Sequence, residues 1–276
     1  MSDTAAMAPK TDLTGRVAVI TGAARDLGLA LALSAADRGM MVALADENEY
    51  LLAAALEQVK AKDVEAIAIP CDRLDLASFC ELAQRSAAEL GPPWLLYNNP
   101  GVNIEVTLWG VINGVQVFVP GMVERDGGHI VNIAAAEVFG TRGAASDVAI
   151  THAIVGLSQS LYRELDSMGS RVGVTLVGPA PGKTNIADAS EYQNFTPPSM
   201  RYAPLSPLPP KEAAEQIFAA VAARHFWFCP YTSELHELPE PGWEARARAG
   251  SAAETLTHQA RAVRTLRSVP TQWSGE

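Results

Sequence analysis

The segment Thr21–Gly28, with the sequence TGAARDLG, is the first part of the chain whose residue types suit a defined chemistry. It follows the apolar run Val17–Thr21 and leads into a segment with helical spacing. Glycines between a strand and a helix let the backbone approach a pyrophosphate, and the N-terminus of the helix favours negative charge. The spacing therefore predicts a turn that binds the phosphates of a dinucleotide.

Asp26 is the unusual residue of this turn. A carboxylate beside a diphosphate adds bulk and charge, and like charges about 4 Å apart repel by about 4 kcal/mol at an effective dielectric of 20. Arg25 can partly neutralise it. The alternative is that Asp26 serves as the N-cap of the following helix, since aspartate is a favoured capping residue. The sequence leaves both interpretations open.

The elements that would position this turn follow a regular alternation. Helical spacing occurs between short apolar runs, which indicates a parallel sheet with helices on both faces. We therefore predict an α/β fold, a doubly wound parallel sheet of the Rossmann type, with ligands bound beyond the carboxyl ends of the strands. The predicted strands are Val17–Thr21, Val42–Ala45, Val64–Pro70, Trp94–Tyr97, His129–Ile133, Arg171–Val177 and Phe226–Cys229, and the predicted helices are Leu27–Arg38, Glu49–Lys62, Leu74–Leu90, Val106–Arg125, Ser146–Ser167 and Lys211–Arg224.

Several ordered motifs resemble the short-chain dehydrogenase/reductase family. Thr21–Gly28 is similar to its TGxxxGxG loop, with Asp26 at the middle glycine position. Thr107–Asn132 is similar to its fourth helix and fifth strand, and Gly156–Leu165 to part of the helix that follows. The resemblance runs from Leu13 to about Pro230 and implies NAD(P)-dependent hydride transfer in a dimer or tetramer.

The resemblance also implies the residues of a cofactor site. Asp46 would bind the ribose hydroxyls and favour NAD over NADP, and the neighbouring Glu47 would repel a 2′-phosphate further. Asp72 matches an adenine contact, although it and Asn99 are also ordinary residues for a turn after a strand. Asp26 weighs slightly against bound NAD, so the alternatives are NAD or no cofactor. The predicted cofactor-binding residues are Gly22, Arg25, Asp26, Leu27, Gly28, Asp46, Asp72, Asn99 and Thr184.

The catalytic positions of the family are occupied by other residues. The resemblance leads us to expect Asn, Ser, Tyr and Lys where this chain has Thr107, Ala135, Asp147 and Thr151. Only eight residues separate Asn98 from Thr107, far fewer than in the family, which predicts a wider cleft. Without a phenol and its neighbouring ammonium, the usual proton transfer that accompanies hydride transfer is not available.

Other residues are candidates for a replacement chemistry. Asp147 lies one helical turn from Thr151 and, with an ordinary pKa of about 3.9, would be a carboxylate and hence a base at neutral pH. A desolvated pocket would raise that pKa and let Asp147 act as an acid as well. Glu137 is a second candidate, and Lys183 could stabilise an oxyanion; a solvated loop position is the alternative for each. The predicted catalytic residues are Asp147, Glu137, Thr151, Thr107 and Lys183.

Three functions remain open. The first, which the acidic replacements favour, is a non-redox acid–base enzyme, a lyase, dehydratase, isomerase or retro-aldol enzyme, acting on a small, mostly apolar substrate, aromatic ones included. The second is an NAD-dependent oxidoreductase with a rearranged proton relay. The third is a catalytically silent scaffold or ligand-binding subunit that pairs with itself or with an active homologue.

Composition narrows the partners. The net charge of −10 argues against nucleic acid and acidic membranes. Cys71, Cys80 and Cys229 are odd in number and lack CxxC spacing, so we expect reduced thiols in a cytoplasmic protein and no metal site. The resemblance to the short-chain dehydrogenase/reductase family implies a homodimer or homotetramer. We predict a flexible N-terminus at 1–12, a single Rossmann-like domain at 13–232 with a lid loop at 188–210, and a C-terminal helical extension at 233–276.

Overall fold

The computed structural model describes residues 12–99, 104–134, 145–178 and 209–228. Strands and helices alternate through these residues. The strands are β1 Val17–Thr21, β2 Met41–Asp46, β3 Ala66–Pro70, β4 Pro93–Asn98, β5 Gly128–Ile133, β6 Val172–Val177 and β7 Trp227–Phe228. The helices are α1 Asp26–Ala36, α2 Glu49–Lys60, α3 Leu76–Glu89, α4 Ile104–Glu124, α5 Ala145–Ser167 and α6 Pro210–Ala223.

The seven strands form one parallel sheet. Their order is β3-β2-β1-β4-β5-β6-β7, and each neighbouring pair runs in the same direction. The chain therefore moves outward from β1 to β3, returns to pair β4 with β1, and continues to the opposite edge. This confirms the doubly wound Rossmann-type fold. The reversal of strand order lies between β1 and β4, and the crevice at their carboxyl ends is where such sheets bind ligands.

The sheet has an apolar core on each face. Along β1, Ala18 and Ile20 belong to the cluster that includes α1 and α6, whereas Val17 and Val19 belong to the cluster that includes α3, α4 and α5. The alternation follows from the two-residue period of a strand. Because both faces are covered, β1 is apolar from Val17 to Ile20, as expected for a strand of a parallel sheet.

The predicted boundaries are confirmed to within about two residues, which is the usual uncertainty at the ends of elements. One difference has a clear cause: α3 begins at Leu76 and not at Leu74. Asp75 is its N-cap, and its carboxylate accepts hydrogen bonds from the backbone N–H groups of Ala77 and Ser78. The predicted lid loop is too long at its end, since Pro210 is already the first residue of α6.

Three other predicted segments, 1–11, 188–208 and 233–276, lie outside the described residues. Within the described part of the chain, no helix is both long and apolar enough to cross a membrane. In that same part there is no group of three or more His, Cys, Asp or Glu side chains that could hold a metal ion.

Candidate functional site

The turn between β1 and α1 closes tightly around two glycines. Gly22 has a φ of 62°, in the left-handed region that favours glycine, and a Cβ atom there would lie 2.9 Å from Asn99 Nδ2. A Cβ atom on Gly28 would overlap the carbonyl group of Gly22. The Asn99 side-chain amide donates a hydrogen bond of 3.1 Å to the Gly22 carbonyl oxygen. Gly22, Gly28 and Asn99 thus come together as predicted and leave backbone at the floor of the crevice.

A hydroxyl group holds this turn to the neighbouring strand. Thr21 Oγ1 donates to the Tyr97 carbonyl oxygen at 3.2 Å and accepts the backbone N–H of Asn99 at 3.2 Å. Thr21 is 3% exposed, so both bonds are shielded from water. The bonds fix the β1–α1 turn against the end of β4, at the point where the strand order reverses.

The conformation of Asp26 contradicts the capping interpretation. Arg25 is the N-cap of α1 and makes no side-chain capping bond, and Asp26 lies one position further on with a φ of 50°. Aspartate tolerates this left-handed conformation better than most residues, but glycine adopts it without a steric penalty. The backbone therefore shows why a glycine suits this position. Asp26 and Leu27 are half-buried, whereas Arg25 is exposed.

Asp46 connects the end of β2 to its surroundings through both carboxylate oxygens. Oδ2 accepts the backbone N–H of Ala24 at 3.2 Å, and Oδ1 accepts that of Asn48 at 3.0 Å. A carboxylate offers about four lone-pair sites, so about two remain for the hydroxyls of a ribose. Asp72 is exposed, and its Oδ1 accepts the backbone N–H of Leu74 at 2.9 Å, which is the turn role considered for it.

Arg73 belongs to the site and was missed by the sequence analysis. Its side chain passes Gly110 of α4, and its Nη2 lies 3.6 Å from Glu47 Oε1 while its Nη1 reaches the neighbourhood of Gly22. Asn113 of α4 donates to the Arg73 carbonyl oxygen at 3.0 Å and holds its backbone. The only signal in the sequence was a cation among several carboxylates, and nothing there shows the direction of the side chain.

An apolar cluster joins the elements that carry the predicted catalytic positions. Val111 of α4, Ala134 after β5 and Ile154 of α5 are all buried together with Leu176 of β6. Thr107 precedes Val111 by four residues in α4, and Thr151 precedes Ile154 by three residues in α5, so the cluster packs these parts of the two helices together.

The structure describes the predicted catalytic residues to different extents. Thr151 is 2% exposed, and Thr107 is half-buried in α4 and engaged in an interaction. Asp147 and Thr151 both lie within α5, one helical turn apart as predicted. Glu137, Ala135, Lys183 and Thr184 lie outside the described residues, and so does the side chain of Asp147.

The residues of the crevice fit a dinucleotide. The glycine turn offers bare backbone and a helix N-terminus that suit a diphosphate, and the Asp46 carboxylate at the end of β2 keeps lone pairs that could accept further hydrogen bonds. Gly22, Gly28, Asp46 and Asn99 are the residues that would hold it. Asp26 adds a negative charge and bulk close to the same turn.

The comparison with known families agrees with the fold and the glycine turn. Residues 16–194 match the family described as short chain dehydrogenase. The chain therefore belongs to the short-chain dehydrogenase/reductase family, whose members are typically oxidoreductases.

Similar proteins extend this result. The chain is 31% identical over 209 residues to "Putative oxidoreductase SadH" of Mycobacterium tuberculosis, covering 66% of this chain and 74% of that protein. It is 30% identical over 183 residues to the 3-oxoacyl-acyl-carrier-protein reductase FabG of Staphylococcus aureus, covering 60% of this chain and 73% of FabG. A short-chain dehydrogenase/reductase from Burkholderia phymatum, solved in complex with NAD, superimposes with a TM-score of 0.72 at 30% identity, covering 82% of this chain and 92% of that one.

Proposed function

We propose that this protein binds NAD(H) and catalyses the oxidation or reduction of a small, mostly apolar substrate through a rearranged proton relay. The observation that carries the proposal is the turn of Gly22 and Gly28 beside Asp46, which fits a diphosphate and a ribose. The names of SadH and FabG, an oxidoreductase and a reductase, and the NAD bound to the Burkholderia protein support it.

The cofactor would supply a hydride acceptor or donor, and the chain must handle the accompanying proton. In the oxidation direction, Asp147 as a carboxylate would take the proton that leaves the substrate hydroxyl, and in reduction it would return that proton to the oxygen. Burial of the site would raise its pKa and make both directions accessible near neutral pH. Glu137 would assist as a second carboxylate, and Lys183 would stabilise negative charge on the oxygen.

The test begins with binding and continues with turnover. Calorimetry of the purified full chain with NAD⁺ and NADH measures the affinity, and the near-ultraviolet absorbance of NADH then follows turnover with a panel of small alcohols, aldehydes and ketones. Asp147→Asn is expected to lower kcat by about 10²- to 10⁴-fold, the usual contribution of a general acid–base group, with the Kd for NAD⁺ unchanged. Asp166→Asn is the matched control, since Asp166 is an exposed aspartate of the same helix.

Loss of NAD(H) binding would reject the redox proposal, and full activity of Asp147→Asn would reject the relay. Thr151 favours one second candidate, because the buried position where the family has an ionisable lysine holds a neutral hydroxyl. A non-redox lyase or isomerase using Asp147 as its base would consume substrate with no change in NADH absorbance. The same Asp147→Asn variant would then abolish that consumption.

A further inference from the structure

Arg73 crosses the crevice between the two places that a dinucleotide would contact. Its Nη1 lies 3.5 Å from the position that a Cβ atom of Gly22 would occupy, and its Nη2 lies 3.6 Å from Glu47 Oε1. Gly22 belongs to the turn that fits a diphosphate, and Glu47 follows Asp46, the residue that fits the adenosine ribose. The guanidinium group therefore lies between the glycine turn and the side chain that follows Asp46.

The Arg73 side chain is buried there, with 9% of its surface exposed. In the free protein this part of the crevice is filled by the protein's own side chain. The aliphatic stem accounts for part of the burial, since a Cβ atom on Gly110 would lie 3.5 Å from Arg73 Cβ. If the adenosine half of a dinucleotide enters between the glycine turn and Glu47, the Arg73 side chain must move first.

The guanidinium group is held loosely for a buried charge. Among the described residues its Nε atom is buried without a hydrogen-bond partner, and its one ion pair there, at 3.6 Å, is with Glu47, whose side chain is 60% exposed. Leaving a buried donor unsatisfied costs about 1–3 kcal/mol. The Arg73 side chain is thus closely packed but makes few polar contacts. Such a side chain is one that a ligand can displace at a low cost in free energy.

We propose that Arg73 occupies the adenosine subsite of the free protein and sets the affinity for dinucleotides, which must displace it in order to bind. This inference rests on the proposed NAD(H) binding and adds a determinant of affinity to it. The opposite role would be a counter-ion that stays in place and binds the diphosphate, in which case removing its charge would weaken binding.

The experiment compares volume with charge at this one position. Calorimetric titrations with ADP-ribose and with NAD⁺ are made on the full chain, on Arg73→Val, which empties the space, and on Arg73→Met, which keeps the stem against Gly110 and removes only the charged end. Arg85→Val is the control for the lost charge, because Arg85 lies on α3 and is paired with Glu89 far along the helix. Thermal unfolding by circular dichroism checks that each variant is folded.

We expect the Kd of both ligands to fall at least tenfold in Arg73→Val and by a smaller factor in Arg73→Met, with less than a twofold change in Arg85→Val. Binding of ADP-ribose or NAD⁺ to Arg73→Val, with no binding to the unaltered protein, would also support the proposed displacement of Arg73. An unchanged or higher Kd in both Arg73 variants would overturn it and leave NAD binding intact. If neither ligand binds to any folded variant, both the proposed displacement of Arg73 and the proposed function are rejected.

Discussion

Asp26 shows how one side chain can change a binding turn while the fold is kept. Its φ of 50° is a conformation that glycine adopts freely and that costs an L-residue about 1–2 kcal/mol, less for aspartate than for most others. Asp26 also precedes the half-buried Leu27 and then Gly28 in the turn that fits a diphosphate, so its carboxylate adds negative charge to that turn. The residue thus carries a conformational cost and an electrostatic cost at once.

Two substitutions separate these costs. Asp26→Gly should raise the free energy of unfolding by about 1 kcal/mol and tighten NAD⁺ binding, because it removes the strain and the charge. Asp26→Asn should tighten binding by a similar factor with little gain in stability, because asparagine also tolerates the left-handed region and only the charge is lost. Urea denaturation measures the first quantity and calorimetry the second. Equal stability of all three proteins would show that position 26 is not strained.

Asp26 and Arg73 also mark what could be predicted about the site. Asp26 was recognisable because the turn follows β1 directly and its glycines fix the register. Arg73 was not, because the path of its side chain depends on Gly110 of α4 and Glu47 after β2, which are far from it in sequence. The sequence therefore predicts the residues of a local turn, whereas contacts across the crevice require the folded structure.

The helices and strands were predicted well where a short stretch of sequence carries an apolar pattern or a helix-capping residue. The buried strands β1 and β2 are apolar up to their last residues, Thr21 and Asp46. Asn48 and Asp75 cap α2 and α3 through bonds to nearby backbone N–H groups. The helix α6 begins at Pro210, which favours the first turn of a helix. The order of the strands was not predicted, because right-handed crossovers restrict the topology without fixing the order and no single residue specifies it.

A buried hydrogen-bonded chain connects β5, β6 and the segment before β7. Thr175 Oγ1 donates its only hydrogen to the His225 carbonyl oxygen at 2.7 Å, so the ring N–H at His129 Nε2 must be the donor in the 2.8 Å contact between these two side chains. His129 is 1% exposed, and burial, with a smaller contribution from Arg224, lowers its pKa to about 3. This histidine is therefore a neutral structural residue.

The low pKa of His129 predicts a loss of stability in acid. Below pH 6.5 His129 is protonated in the unfolded chain but stays neutral in the folded protein. The free energy of unfolding therefore falls with decreasing pH, by up to about 1.4 kcal/mol per pH unit, until the pH reaches about 3. Above 6.5 the residue contributes no slope. Urea denaturation at several pH values should show a shallower fall for His129→Gln, whose side-chain N–H can still reach Thr175, while the contribution of carboxylates such as Glu215, whose pKa is lowered to about 2, remains in both proteins. Identical slopes for the two proteins would contradict the assignment.

Charge is the property that the whole molecule brings to the site. The net charge of −10 is spread over 31 acidic and 21 basic side chains. Several of the arginines are committed to ion pairs away from the crevice, as Arg38 is with Glu215 and Arg171 with Asp126. Around the crevice itself lie Asp26, Asp46, Glu47 and Asp72. The long-range field and the local carboxylates therefore both oppose the approach of an anionic ligand.

Salt should consequently strengthen dinucleotide binding. Raising the ionic strength from about 0.01 M to about 0.15 M shortens the Debye length from about 30 Å to about 8 Å, which screens the distant acidic side chains before a ligand reaches the turn. The Kd of NADH should fall severalfold over this range. The Kd of NAD⁺ should fall by a smaller factor, because NAD⁺ carries one negative charge fewer than NADH. NAD⁺ therefore serves as the internal comparison. Calorimetry at matched pH measures both Kd values, and Asp26→Asn should reduce the salt effect only in part, since one of many carboxylates is removed.

A Kd that rises with salt for both ligands would contradict this prediction. It would mean that a local cation such as Arg25 or Arg73 dominates the interaction, and that the electrostatic field of the whole molecule is negligible at its own binding site.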